Sequence, residues 1–218
     1  MIFDERDGSV KIANPQLYRM TPEEYLEWER TQEIRYEYSD GEVFAMTGGS
    51  KPHNRIALNL ASDLNTYLQD SSCEVYMVDV KVKISSVCSY HYPDVVVTCD
   101  SRDQESNQFI QYPCLIVELL SPSTEAYDRG SKFAKYRKLK TLQEYVLIQS
   151  ETIGVECFRR NQQGFWVLYP YEKGDTFLDA IASGGNPQDR AASLTLESVN
   201  FSVSLEALYR RVTFDYKS

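Results

Sequence analysis

The chain has 218 residues, a formal charge of −9, 42% hydrophobic residues and 25% charged residues. Those fractions are those of an ordinary globular protein and exclude the disordered and collagen-like classes. The acidic balance excludes a protein that holds nucleic acid by bulk charge, so such binding would need a local basic surface, a bound metal or dimer geometry.

The first residues, MIFDERDGSVKIANP, are acidic and carry no apolar run, which predicts neither a signal peptide nor a membrane span and hence a cytoplasmic protein. Residues 1–19 read as an N-terminal extension. Residues 20–218 read as a single domain, with core motifs in 20–150 and additional strands plus a terminal helix in 151–218.

Thr21-Pro22-Glu23-Glu24 has the form of a capping box with proline at the first helical position, so a short helix begins there. In RYEYSDGEVFAM, Asp40-Gly41 predicts the turn of a hairpin. Tyr36 and Tyr38 then share one face, and Glu37 lies on the other with Phe44 opposite. Ile56, Leu60, Leu64 and Leu68 recur every four residues and predict a long amphipathic helix.

Val78, Val80, Val82 and Ile84 alternate with Asp79, Lys81 and Lys83, which predicts one strand. Asp94 opens the run Val95-Val96-Val97, and Cys114–Leu120 reads as a more central strand. His91, before Tyr92-Pro93, reads as an ordinary loop residue. Beyond SPST, the segment DRGSKFAKYRKLK carries Phe133 and Tyr136 at helical spacing, and Tyr145–Ile148 follows as a strand.

Hairpin-like strands are expected around Asn161–Gly164, then a polar loop at ASGGNPQDR, a short strand in SLTLES and a terminal helix in SLEALYRRV. The expected fold class is α/β, a mixed β-sheet flanked by helices without βαβ regularity. The five cysteines are widely spaced, contain no C-x-x-C pair and read as reduced; with only two histidines, a structural zinc site is not expected.

Glu118 sits in the middle of an apolar strand, where an unpaired carboxylate would be costly. With Asp94 at the end of a neighbouring strand it would form a hard-oxygen site suited to Mg2+ or Mn2+. Read alone, Glu118 is equally a structural carboxylate paired with Lys132 or Arg129, Asp94 a turn residue after proline, and Glu37 a solvated strand residue. His53 follows Gly48-Gly49 at a helix start, where it either touches a phosphate or satisfies local backbone groups.

Pro93-Asp94, Glu118 in LIVELLSPST, Asp128, Lys132 and Tyr136, with the upstream YEYSDGEVFAMTGGSKPH, together resemble the Uma family of restriction-endonuclease-like proteins, a branch of the PD-(D/E)XK superfamily. That resemblance covers roughly Met20 to Gln149. It implies a restriction-endonuclease-like core with Asp94, Glu118 and Glu37 as metal ligands. Where the superfamily expects a lysine, two residues beyond Glu118, this chain has Leu120; the family supplies the lysine from the following helix, at Lys132.

Lys132 would activate water, Lys135 is a lesser competitor, and His53, Tyr136 and Asp128 would support the site or touch a phosphate. The implied function is Mg2+- or Mn2+-dependent hydrolysis of nucleic acid, DNA before RNA, by a homodimer. The other reading is a degenerate nuclease fold that binds nucleic acid or protein without cutting.

Overall fold

The computed structural model describes residues 19–46, 48–105, 107–172 and 193–214, together with the backbone of residues 2–3 and 10–11, where β1 (Ile2–Phe3) pairs antiparallel with β2 (Val10–Lys11). The expected polar loop ASGGNPQDR lies outside the described residues.

Helix α1 (Pro22–Glu29) starts at the capping box: the Glu24 N–H donates to Thr21 Oγ1 at 3.2 Å, and the Thr21 N–H donates to Glu24 Oε2 at 2.7 Å. The hairpin of β3 (Tyr36–Ser39) and β4 (Glu42–Ala45) turns through Asp40 and Gly41 at φ of 52° and 93°, the two left-handed positions that such a tight turn requires. Tyr38 stacks on Tyr25 of α1 with ring centroids 5.0 Å apart. Glu37 stands opposite Phe44, as the alternation predicts.

The hairpin belongs to a five-stranded sheet of order β4-β3-β7-β6-β9, with β6 (Lys81–Ile84), β7 (Ser89–His91) and β9 (Phe109–Ile110). A six-stranded sheet has the order β13-β12-β11-β10-β8-β5. Its strands are β5 (Glu74–Met77), β8 (Val95–Thr98), β10 (Pro113–Leu120), β11 (Glu144–Gln149), β12 (Gly154–Arg160) and β13 (Trp166–Glu172). The β10–β11 pair is parallel and the other pairs are antiparallel, so the sheet is mixed.

Helix α2 (Lys51–Leu68) buries Ile56, Leu60, Leu64 and Leu68 in a core with Val95, Val97, Leu115, Val117 and Leu119 from the six-stranded sheet. Val96, Ile116 and Leu120 pack in a second core with Phe133 and Tyr136. Burial on both faces explains why β10 reads as one continuous apolar run. It is also what makes Glu118 conspicuous.

Four sequence expectations change. Residues 78–84 are not one strand: the chain turns at Val78 and Asp79, and Val78 is exposed at φ 61° with its N–H donating to the Asp94 carbonyl at 3.3 Å. The helix beyond SPST is irregular: α3 (Glu125–Tyr127) runs into a π turn over Asp128–Lys132 and then α4 (Phe133–Tyr136).

The C-terminal segment forms a hairpin of β14 (Ser193–Leu196) and β15 (Phe201–Ser204) before α5 (Leu205–Leu208), which is capped by Ser204 as expected but is only four residues long. The cysteines, read as reduced, include a Cys73–Cys99 disulfide; the pairing of Glu74 with Thr98 brings these two together just before β5 and just after β8.

Not every buried carboxylate belongs to one cluster. Glu144 is fully buried at the start of β11, where it accepts from Arg159 Nε at 2.8 Å, the Glu197 N–H at 3.1 Å and the Ser198 N–H at 2.8 Å. It ties the β14–β15 hairpin to the main sheet. Glu144→Ala, by leaving Arg159 Nε and two N–H groups without their acceptor, is expected to cost about 3–5 kcal/mol in urea unfolding. A loss under about 1 kcal/mol would remove that role.

Candidate active site

The carboxylates converge because of strand register. Val95 of β8 pairs with Val117 of β10, so the next step sets Asp94 opposite Glu118, both on the face that carries Val96 and Ile116. The Asp94 side chain is fixed from two sides: Oδ2 accepts from the Leu119 N–H at 2.7 Å and Oδ1 meets His53 Nε2 at 2.8 Å.

His53 reaches Asp94 from the first turn of α2, where Ser50 caps its backbone N–H. A Cβ on Gly49 would come within 2.8 Å of the imidazole, so the glycine leaves room for the ring. Burial works against the charged imidazole, but the bond to Asp94 outweighs it and raises the His53 pKa.

Lys132 closes the π turn, a widening of the helix that often marks functional positions. Its Nζ lies 2.9 Å from Glu118 Oε1, 3.1 Å from Glu37 Oε1 and 3.6 Å from Asp128 Oδ1. All four of these side chains are almost completely buried. The Tyr136 hydroxyl donates to Glu118 Oε1 at 3.0 Å, and the Tyr145 hydroxyl donates to the Asp128 carbonyl at 3.0 Å.

Arg129, the alternative partner for Glu118, instead pairs with Glu125 and Glu156. Lys135 is turned to Ser39 and Asp40 of the hairpin.

Electrostatics separate the two glutamates. Burial pushes Glu118 well above the usual carboxylate range, and the neighbouring Asp128, Asp94 and Glu37 add to it against the pull of Lys132. Burial acts the same way on Glu37, yet Lys132 and His91 outweigh it and hold that carboxyl well below the usual range. Asp128 is raised by burial. For Lys132, burial is overcome by Glu118 and Glu37, so the ammonium persists far above the usual lysine range.

Among the described residues no group of three or more His, Cys, Asp or Glu side chains stands as a ready metal cage. The donor set nevertheless suits a magnesium-like ion, which needs only one or two carboxylates beside water and substrate oxygens. Three carboxylates, Glu37, Glu118 and Asp128, share the Lys132 ammonium, while Asp94 adjoins Glu118 and is bonded to His53, a concentration of acidic groups that a dication would offset.

The largest departure from the sequence reading is His91. It ends β7 fully buried, and its Nδ1 lies 3.1 Å from Glu37 Oε2. The adjacent Tyr92 N–H donates to Glu37 Oε1 at 3.0 Å. The only available signal was its closeness to Pro93-Asp94, because burial of β7 depends on β3 and β6 flanking it.

Tyr92 also joins the cluster to a surface pocket, since its hydroxyl donates to Glu29 at 2.6 Å. In that pocket Lys81 pairs with Glu29 at 2.8 Å and Arg35 with Asp79 at 3.4 Å.

Residues 22–184 match the family model described as "Uma2: Putative restriction endonuclease". The chain is 40% identical over 196 residues to the uncharacterized protein slr1290 of Synechocystis, covering 90% of this chain and 94% of that protein. It is 33% identical over 151 residues to sll1609 of the same organism, covering 68% of this chain and 85% of that protein. A crystal structure described as "a putative nuclease belonging to DUF820" from Anabaena variabilis is similar with a TM-score of 0.67 at 18% identity, over 87% of this chain and 97% of that one. The last likeness establishes the fold.

Proposed function

The chain belongs to the Uma2 family of restriction-endonuclease-like proteins, and on that premise we propose that it is a divalent-metal-dependent nuclease that hydrolyses phosphodiester bonds of DNA. The observation that carries the proposal is the position of Lys132. Leu120 stands where a strand lysine would be expected, and Lys132 brings its ammonium to 2.9 Å from Glu118 out of a different element.

In this reading Asp94 and Glu118 hold Mg2+ or Mn2+, and the cation supplies positive charge against the negative charge that grows on the phosphoryl oxygens. Lys132 orients the attacking water and shares that stabilisation, with no covalent intermediate. His53 and the Leu119 N–H aim the Asp94 carboxylate, and the Tyr136 hydroxyl aims Glu118. A homodimer offers one such centre to each strand of a duplex. Among the described residues no helix is long and apolar enough to cross a membrane.

The test is nicking of supercoiled plasmid and of single-stranded DNA with Mg2+ or Mn2+. Cleavage that needs the metal and falls by ~10³-fold in Asp94→Ala is the expected result. A folded, metal-binding wild type that cuts neither substrate would favour a nuclease fold that binds without cutting.

A further inference from the structure

We propose that Glu37 is a positioning residue for Lys132 rather than a ligand of the metal, and that His91 holds Glu37 in that role. The inference rests on the reading of Lys132 as the group that activates water. Glu37 lies on β3 of the five-stranded sheet, whereas Asp94 and Glu118 share a face of the six-stranded one.

Both Glu37 oxygens are engaged. Oε1 receives the Tyr92 N–H at 3.0 Å and the Lys132 ammonium at 3.1 Å, and Oε2 faces His91 Nδ1 at 3.1 Å. The pairing of Tyr38 with Tyr90 sets Glu37 directly across from His91, so the clamp is built into the β3–β7 register. A carboxylate held by two groups of the adjoining chain, the His91 ring and the Tyr92 N–H, and by the Lys132 ammonium has little freedom to swing toward a cation.

The histidine itself is polar on one side only. A carboxylate accepts and cannot donate, so Nδ1 carries the proton. Nε2 is buried and has no hydrogen-bond partner among the described residues; the rings of Tyr136 and Tyr127 lie with centroids 5.5 Å and 6.4 Å from that of the imidazole. A bare lone pair at that atom costs less than an unpaired N–H, which favours the proton on Nδ1 over Nε2. His91 thus fixes Glu37, and Glu37, as a second carboxylate beside Glu118, fixes Lys132.

Three measurements test this on the intact chain. Nitrogen-15 spectra of histidine-labelled protein, which has only two histidines, should show His91 protonated on Nδ1 and bare at Nε2. Calorimetry with Mn2+ should give Glu37→Gln an affinity within about twofold of wild type, in contrast to Asp94→Ala. In cleavage assays His91→Leu should lower kcat ~10–100-fold with KM little changed, and His91→Asn, whose amide can donate to Glu37, should restore most of it.

Loss of Mn2+ affinity in Glu37→Gln as severe as in Asp94→Ala would overturn the proposal, and so would a His91 ring bare at Nδ1. If the wild type does not cut DNA, the nuclease reading fails, while the spectra and calorimetry still decide the role of Glu37. If His91→Leu does not fold, the same two measurements carry the test.

Discussion

Lys132→Met is expected to lower metal-dependent cleavage by ~10³-fold or more and to destabilise the fold by about 3–5 kcal/mol near pH 8. The ammonium is the shared partner of Glu118, Glu37 and Asp128, so its removal leaves buried carboxylates uncompensated. The loss should depend on pH, and its sign follows from the direction of each shift.

In the wild type Glu37 lies below its usual value of 4.5, so its contribution is present above that value and is lost on acidification. Without Lys132 burial dominates, and a carboxyl raised by burial contributes stability below its unfolded value that is lost as pH rises through the folded value. The gap between variant and wild type therefore widens as pH rises above about 4.5, narrows on acidification, and closes only well below 4.5, where Glu37 is protonated in the wild type as well. Urea unfolding at pH 4 and pH 8 measures this, and an equal loss at both would refute the charge argument. Arginine should not rescue activity, because a planar fork cannot replace a compact ammonium in this space.

Glu118→Gln should lose cleavage on a similar scale, ~10³-fold, together with most metal affinity, yet stability should move the other way. The wild-type carboxyl is raised well above 4.5 by burial and by Asp128, Asp94 and Glu37. It therefore contributes stability that is complete below 4.5 and declines as pH rises toward the folded value.

Glutamine keeps an oxygen for Lys132 and Tyr136 and has no charge to bury. The variant is thus expected to exceed the wild type by about 1 kcal/mol at pH 8 and to lose that advantage at pH 4. Opposite stability signs with the same loss of cleavage separate a chemical role from simple unfolding. A Glu118→Gln protein that is less stable than wild type at pH 8 would count against the excess negative charge.

The period-four apolar residues of α2, the Asp40-Gly41 hairpin and the apolar run of β10 were legible because each is a local pattern that the core merely uses. The pairing of Asp94 with Glu118 was legible for a related reason: each stands out as a charged residue beside β-branched or apolar neighbours. What stayed hidden depends on register between distant strands. The alternation from Val78 to Ile84 looks continuous, but a backbone bond to Asp94 turns the chain at Val78.

Cys73 and Cys99 meet only once β5 and β8 align, and His91 is buried only once β3 and β6 enclose β7. The π turn leaves no mark in DRGSKFAKYRKLK, whose Phe133 and Tyr136 satisfy a plain helical spacing.

The origin of the clustered side chains in separate elements also bears on how the protein is made. Glu37 comes from the first hairpin, Asp94 and Glu118 from two paired strands, and Lys132 from the irregular helix that follows them. A chain emerging from the ribosome carries its carboxylates before its ammonium, and contacts so distant in sequence close late because loop entropy opposes them. On the reading proposed above, truncated and half-folded products are harmless to the DNA around them, and the hydrolytic centre is armed only when tertiary folding is complete.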